Sequence, residues 1–293
     1  MAFSLLVLAG FYPPEQRAVR YADELASALG GRLVLLHAHR ASLFDPYVFA
    51  GDTWRQQELA QDADTAALLR QLAGQLQAPA TVELVTDLLP DLLPALAQRY
   101  APALFVLGLP AAGQLSSGQV SIAALELLRA AHFPVLLVPE HTAAAVPPQR
   151  VLIAADRDPF ALAPHSQPAA DLLRQLGSEQ TVVHVSPVED DAGCACALRA
   201  VQHSGLVDAG HYQDLRGCLH PDPASGLLAA ATEAEADWLV LLARSRSYLG
   251  ELFHRSVTAA VASRSTSPVL LLPVIEPAAT TEPAAAAQAT LSE

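Results

Sequence analysis

The stretch FPVLLVPE, residues 133–140, decides the fold of this chain because it recurs as SPVLLLPV at 267–274. A second apolar run, APALFVLGLP at 101–110, recurs as EADWLVLLAR at 235–244. Both pairs are separated by 134 residues. A constant offset over two apolar runs and the segment between them indicates an internal duplication. The sequence therefore predicts two copies of one structural unit, one in each half of the chain.

The beginnings of the two halves also match, at a larger offset. His37 and His184 end the second apolar run of each half and lie 147 residues apart. The difference between the offsets predicts about 13 extra residues in the first half, and we place them in ASLFDPYVFAGDTW at 41–54. Because the two histidines recur, we expect them to share one local role, which is hydrogen bonding at the edge of the sheet.

Within each half, short runs rich in Val and Leu alternate with segments of helical period, such as residues 17–30. Continuously apolar strands are typical of parallel sheets covered on both faces. We therefore predict an α/β fold with two tandem, doubly wound, parallel-sheet domains related by a pseudo-twofold axis. Composition sets the expected boundaries, which are a first domain at 1–140, a Pro-rich linker at 141–150, a second domain at 151–275 and a disordered tail at 276–293.

Composition excludes several classes of function. The formal net charge is −13, and all 17 basic residues are arginine. Such a charge disfavours nucleic acid and anionic membranes as partners, and the absence of lysine excludes a P-loop lysine and a lysine Schiff base. No apolar run reaches the roughly 20 residues of a membrane span. Three cysteines do not form the disulfide framework of a secreted protein, so we expect reduced thiols and a cytoplasmic location.

Two α/β units, each with a second strand that ends in histidine and a last strand that reads Pro-Val-Leu-Leu, resemble a tandem universal stress protein. The resemblance covers residues 1–274 and implies a Rossmann-like fold similar to adenine nucleotide alpha hydrolases. It also implies a non-catalytic stress-response or regulatory protein. Single-domain members commonly pair through their last strands, so the resemblance implies an intramolecular pseudo-dimer through FPVLLVP and SPVLLLP. A further homodimer and an unknown protein partner stay open.

Many members of that family bind ATP through an Asp after the first strand and a motif Gly-x2-Gly-x9-Gly-Ser/Thr that ends at the last helix. In the second half, Asp156 and Ser256 match the Asp and the hydroxyl residue. The three glycine positions hold Leu242, Ser245 and Arg255, whose side chains obstruct the close backbone approach that phosphates require.

In the first half, Gly10 stands in the place of the Asp, and Gly108 is the one motif glycine that is kept. The other motif positions hold Ala111, Ser121 and Ile122, although Gly113 and Gly118 could form a phosphate loop if the alignment shifts locally. We therefore expect no tight ATP binding by either half. The alternative is an adenine-nucleotide switch in the second half, with candidate cofactor-binding residues Asp156, Arg244, Arg255 and Ser256, the arginines serving as anion ligands.

A second alternative is a metal-binding module in the segment 194–220. Its candidate ligands, Cys194, Cys196, Cys218 and His220, are of the types that zinc and copper prefer. Their spacing matches no known zinc finger, and the segment is predicted to run from a helix into a strand, so we expect no metal site there. The chain also lacks a Gly-x-Ser-x-Gly elbow and any spacing that selects a catalytic triad, and we expect it not to be an enzyme.

Overall fold

The computed structural model describes residues 3–38, 64–85, 89–110, 132–207, 214–244 and 257–277. The expected insertion at 41–54 and almost all of the expected tail lie outside these residues. In the described parts of the chain, no helix is both long enough and apolar enough to cross a membrane.

The described residues of the first half form five strands and three helices. The strands are β1 (Ser4–Leu8), β2 (Arg32–Ala38), β3 (Ala80–Val85), β4 (Ala103–Leu109) and β5 (Val135–Pro139). The helices are α1 (Pro13–Leu29), α2 (residues 64–73) and α3 (Leu89–Arg99).

The second half repeats this arrangement with one short additional strand. Its strands are β6 (Arg150–Ala154), β7 (Ala161–Leu162), β8 (Glu179–Ser186), β9 (Asp214–Leu219), β10 (Trp238–Arg244) and β11 (Val269–Ile275). Its helices are α4 (Gln167–Leu176), α5 (Asp191–His203), α6 (Pro223–Glu233) and α7 (Val257–Arg264).

The strands form one sheet in the order β3-β2-β1-β4-β5-β11-β10-β6-β8-β9. Along this path, neighbours within each half are parallel, and the two halves meet where β5 pairs antiparallel with β11, with Leu136 opposite Leu270. The short strand β7 lies off the path and pairs antiparallel with the end of β11. From the centre outward, each half has the same strand order, so the predicted doubly wound α/β fold is confirmed. The predicted contact strands are the ones that pair, which joins the two half-sheets into a single one.

Each face of the sheet carries a hydrophobic core that runs through both halves. Strand residues alternate between the faces, so Leu5 and Val7 lie in one core and Leu6 in the other. One face is covered by α1, α2, α4 and α5, and the other by α3, α6 and α7. Because both cores continue across β5 and β11, the halves share buried apolar surface.

Local sequence explains where the helices end and begin. Helix α1 ends at Gly30, which has φ 63°, and α4 ends at Gly177, which has φ 64°, and glycine adopts this left-handed conformation without a Cβ clash. Asp190 and Asp222 begin α5 and α6, and each side chain accepts a hydrogen bond from the backbone N–H three residues later.

A buried polar contact also joins the two halves. Trp238 of β10 donates its indole N–H to the hydroxyl oxygen of Tyr21 on α1 at 2.6 Å, and both side chains are fully buried. The ring of Phe133, which precedes β5, packs against the ring of His165 in the second half, with centroids 4.3 Å apart. These contacts fix the first half against the second.

The Pro-rich segment that we predicted as a linker is held by side chains from both halves. The buried carboxylate of Asp237 accepts hydrogen bonds from the N–H groups of Ala145, Gln149 and Arg150, at 3.2, 2.8 and 2.9 Å. Arg17 of α1 donates to the carbonyl oxygen of Thr142 at 2.8 Å. Side chains of both halves therefore hydrogen-bond the backbone of this segment from Thr142 to Arg150.

Candidate functional site

The carboxyl ends of β6 and β10 bring two of the predicted site residues together. Asp156 follows β6, and Arg244 is the last residue of β10, the strand beside it. The guanidinium of Arg244 donates to both carboxylate oxygens of Asp156, from Nε at 3.1 Å and from Nη2 at 2.5 Å. Adjacent parallel strands end at the same edge of the sheet, which explains why residues 88 positions apart in the chain meet here.

Arg244 also bonds the backbone that follows Asp156. Its Nη2 donates to the carbonyl oxygen of Asp158 at 2.6 Å, and its Nη1 donates to that of Pro159 at 3.2 Å. Four oxygen atoms of the segment 156–159 therefore surround one guanidinium, whose planar set of donors suits such an arrangement. The sequence identified Asp156 and Arg244 but gave no signal for the two carbonyl groups.

A cleft of about 370 Å³ opens beside this ion pair. It lies between the loop after β6 and the end of β11. The lining residues are Asp158, Pro159, Arg244, Val274, Ile275, Glu276 and Pro277. The cleft is therefore located at the sheet edge where ligands of open α/β proteins bind.

The one kept motif glycine, Gly108, is required by packing in the first half. A Cβ added at Gly108 would lie 2.1 Å from the carbonyl oxygen of Pro14 and 2.9 Å from the N–H nitrogen of Glu15. The beginning of α1 thus lies directly against β4. At the corresponding place in the second half, the side chain of Leu242 packs against the core. In both halves, the strand backbone at this position is therefore covered, by the beginning of α1 in the first half and by the Leu242 side chain in the second.

A carboxylate from α1 takes the space beside Gly10, the residue in the place of the motif Asp. A Cβ at Gly10 would lie 1.9 Å from Oε2 of Glu15, and that oxygen accepts a hydrogen bond from the N–H of Tyr12 at 3.2 Å. Both halves therefore have a carboxylate near the end of the first strand, although its source differs. The sequence analysis did not single out Glu15.

His37 and His184 make the same hydrogen bond in the two halves. Nδ1 of His37 lies 3.2 Å from the carbonyl oxygen of Ala9, and Nδ1 of His184 lies 3.1 Å from that of Ala155. Each bond fastens the residue after the first strand of its half to the second strand. The expected shared hydrogen-bonding role is confirmed.

In the second half, a charged network extends from His184. Its Nε2 lies 3.1 Å from Oδ2 of Asp190, and Arg157 donates to the same oxygen. Gly193 brings α5 close to this network, since a Cβ there would lie 1.9 Å from Oδ2 of Asp190 and 2.8 Å from Nε2 of His184. Burial alone would raise the pKa of Asp190, but the hydrogen bonds from Gly193, Arg157 and His184 together hold it below its usual value. The sequence analysis missed this network, although Asp190 has the spacing of a helix cap.

Two of the predicted site residues, Arg255 and Ser256, lie outside the described residues. The motif positions Ser245, Ala111, Ser121 and Ile122 also lie outside them, as do Gly113 and Gly118. Helix α7 is described from Val257, the residue after Ser256.

The candidate metal ligands are distributed over α5 and β9. Cys194 and Cys196 lie on α5, and Cys218 lies on β9. Cys194 Sγ lies toward Gly217, at 3.1 Å from where its Cβ would be. Cys218 follows Gly217 and contacts the α6 side of the sheet instead, where its Sγ lies 3.6 Å from the carbonyl oxygen of Gly226. Cys194 and Cys218 are thus on opposite faces.

The other contacts of these residues are also with protein groups. Arg199 donates to Sγ of Cys196 at 3.2 Å, and Nδ1 of His220 lies 2.7 Å from the carbonyl oxygen of Asp222. Burial raises the pKa of the Cys194 and Cys218 thiols, which disfavours the thiolate that metals bind. Among the described residues, no group of three or more His, Cys, Asp and Glu side chains is arranged to hold a metal ion. The structure does not bring the four candidates together.

Comparisons with known proteins agree with this architecture. The family model described as "Universal stress protein family" matches residues 1–139 and again residues 148–273. The structure resembles the crystal structure of a universal stress protein from Archaeoglobus fulgidus DSM 4304, with a TM-score of 0.63 and 16% identity over 92% of this chain and 95% of that chain. It also resembles a protein of unknown function from Pseudomonas aeruginosa PAO1, with a TM-score of 0.53 and 17% identity over 92% of each chain.

A comparison with curated protein sequences gave no significant match. At these identities the two solved structures support the fold alone. The family assignment is given by the family model, whose two matches include all eleven strands of the sheet except parts of the last. The chain therefore belongs to the universal stress protein family and carries two of its domains in tandem.

Proposed function

We propose that this chain is a non-catalytic regulatory protein of the stress response that works without tight ATP binding. Family membership supports the stress-response part of this proposal. The observation that supports the absence of tight ATP binding is the ion pair between Arg244 and Asp156. Many members of the family bind ATP through the Asp at this position, and here both oxygens of Asp156 already bond a guanidinium of the same chain.

Ligand binding at this position would require that ion pair to be broken. A nucleotide would have to replace the bonds from Arg244 to Asp156 and displace Arg244 from the carbonyl groups of Asp158 and Pro159. Removing one partner of such a network leaves the remaining groups without their hydrogen bonds, which is costly when they are partly buried. Only 21% of the Arg244 side chain is exposed. Leu242, in the place of a motif glycine, adds a steric obstacle.

The alternative function is an adenine-nucleotide switch, supported by the cleft of about 370 Å³ beside Arg244. In that case Asp156 would contact the nucleoside, and Arg244, Arg255 and Ser256 would bind phosphate. This alternative needs Arg244 to exchange its partner from carboxylate to phosphate. Such an exchange is chemically feasible because guanidinium groups bind both anions in the same bidentate way.

A nucleotide titration separates the two proposals. The full chain is titrated with a fluorescent ATP analogue to millimolar concentration, and its melting temperature is measured with unlabelled ATP. We expect no saturable signal and an unchanged melting temperature. A ligand at 100 times its dissociation constant would stabilise the fold by about 2.7 kcal/mol. The switch would be established instead by saturable binding that Asp156→Ala and Ser256→Ala both weaken. The control Arg216→Ala, on the outermost strand β9, should leave that binding unchanged.

A metal-binding module has weaker support, because Cys194 and Cys218 lie on opposite faces of the sheet. Elemental analysis of untagged protein tests it directly. We expect zinc and copper well below one equivalent per chain.

We further propose that the paired halves act as one intramolecular pseudo-dimer in the cytoplasm. The β5–β11 pairing supports the first part, since it leaves neither of these apolar strands at an edge. The three free cysteines support a reducing compartment. Light scattering during gel filtration distinguishes a single chain of 30.8 kDa from the homodimer that the family resemblance leaves open.

A further inference from the structure

Both ring nitrogens of the buried histidine in the second half face hydrogen-bond acceptors. Nδ1 of His184 lies 3.1 Å from the carbonyl oxygen of Ala155, and Nε2 lies 3.1 Å from a carboxylate oxygen of Asp190. A carbonyl oxygen and a carboxylate oxygen can only accept, so each ring nitrogen makes its bond only while it carries a proton. Both nitrogens carry protons only in the imidazolium. The neutral ring makes one of these bonds, and the imidazolium makes both.

The orientation of the ring is supported by the first half. His37 directs the same nitrogen, Nδ1, toward the carbonyl oxygen of Ala9 at 3.2 Å. The two halves therefore share the bond through Nδ1. The carboxylate at Nε2 is contributed by the cap of α5 in the second half.

The groups around His184 come from three elements. Helix α5 and its cap contribute Asp190, the exposed Asp191 and the protonated thiol of Cys194. The loop after β6 contributes Arg157, which bonds Asp190 and is itself exposed. On β9, the residue opposite His184 is Gly217, and its neighbours Arg216 and Cys218 point to the other face of the sheet. Asp190 is thus the ionic partner that His184 shares with Arg157.

This arrangement fastens the loop on both sides of Asp156. His184 holds the carbonyl of Ala155, the residue before it, and Asp190 holds the side chain of Arg157, the residue after it. The bond between His184 and Asp190 joins these two attachments. The same loop continues to Asp158 and Pro159, which line the cleft.

We propose that His184 is a proton-dependent latch on the loop 155–159 and on the cleft that this loop lines. With the ring protonated, the loop is tied to both β8 and the cap of α5. When the ring loses one proton, one of its nitrogens turns a lone pair toward its acceptor, and one of the two bonds, to Ala155 or to Asp190, is broken. The loop is therefore held more firmly at acid pH and released as the pH rises. Histidine is suited to this because it exchanges its proton between about pH 5 and about pH 8.

The experiment is an amide hydrogen-exchange and NMR titration of the full chain across that pH range, with exchange rates corrected for their intrinsic pH dependence. We expect the amides of Arg157 and Gly193 to shift in one transition together with the ring of His184. Above this transition we expect protection of residues 155–158 to fall by about fivefold, as one charge-assisted hydrogen bond is lost. Equal protection on both sides of the transition would overturn the proposal.

Variants assign the effect to this pair. In Asp190→Asn the helix cap is kept, because Asn caps as well as Asp, and the amide can donate to the neutral ring. The proposal requires that the loop no longer responds to pH in this variant or in His184→Gln. The matched variant His37→Gln removes the equivalent bond of the first half and should leave the response of residues 155–158 intact. A response that survives in Asp190→Asn would refute the latch even if His184→Gln fails to fold.

Discussion

Replacing Tyr21 by phenylalanine tests whether the two halves are fixed by the hydrogen bond that joins them. The change removes one oxygen atom and leaves the ring in place. The indole N–H of Trp238 then lies fully buried without its acceptor, since the 2.6 Å bond to the Tyr21 hydroxyl is lost. An unsatisfied buried donor costs about 1–3 kcal/mol. Burial also raises the pKa of Tyr21, so its hydroxyl stays protonated throughout the accessible pH range.

Equilibrium unfolding in urea measures this cost. With a denaturant slope of about 3 kcal/mol per molar, a loss of about 2 kcal/mol lowers the unfolding midpoint by roughly 0.7 M. Circular dichroism and tryptophan fluorescence should report the same midpoint in both proteins, because the cores continue across both halves. Val188→Ala is the control, since Val188 is 62% exposed and its replacement should change stability by less than about 0.5 kcal/mol.

A double-mutant cycle assigns the cost to the pair. Trp238→Phe also opens a cavity, so it should destabilise the protein more than Tyr21→Phe does. Once the indole is absent, removal of the Tyr21 hydroxyl no longer leaves that donor without an acceptor. The coupling energy should therefore be about 0.5–3 kcal/mol. If Tyr21→Phe unfolds within about 0.5 kcal/mol of the parent protein, or if the two changes are additive, then the bond does not hold the halves together.

Three further outcomes are expected. Asp237→Ala leaves three backbone N–H groups of the linker segment without their acceptor and should lower the free energy of unfolding by roughly 2–4 kcal/mol, as measured in urea. Gly108→Ala should destabilise by at least about 1–3 kcal/mol, because its Cβ would overlap the carbonyl of Pro14; a neutral effect in a thermal melt would contradict the packing role of this glycine. Hydrogen bonds from Ser225 hold the pKa of Asp222 below its usual value, so the carboxylate stabilises the fold above about pH 4 and this contribution is lost as the pH falls through the lowered pKa. Melting temperatures between neutral and acid pH should therefore fall more steeply in the parent protein than in Asp222→Asn.

Much of the fold could be predicted because it is encoded in repeated local patterns. The runs at 133–140 and 267–274 are apolar throughout, which indicates strands that are buried on both faces. Their constant offset from the preceding strands revealed the duplication. The pairing of these two strands followed from the family resemblance and from the need to cover an apolar edge. The antiparallel register, with Leu136 opposite Leu270, is set by contacts between the halves and has no local signal.

The candidate site could be predicted only in part. Asp156 was identified because it matches the Asp of the family's ATP motif, and Arg244 was identified because it stands at the end of a strand, where ligands of α/β sheets bind. Their mutual ion pair was not predicted, because the sequence does not tell which acid an arginine bonds. Glu15 and Asp190 were missed because their capping positions are also those of ordinary helix beginnings.

The sequence by itself determined that this protein has two α/β units and that their β-strands are apolar enough to be buried. These properties follow from residue type and spacing, which act locally. Only the tertiary structure decided which charges meet. Arg244 closes on Asp156, and His184 meets Asp190 and the carbonyl of Ala155, because parallel strands distant in sequence end side by side. Side chains that follow such strands become neighbours through the strand order, and that order is fixed by the packing of the whole sheet.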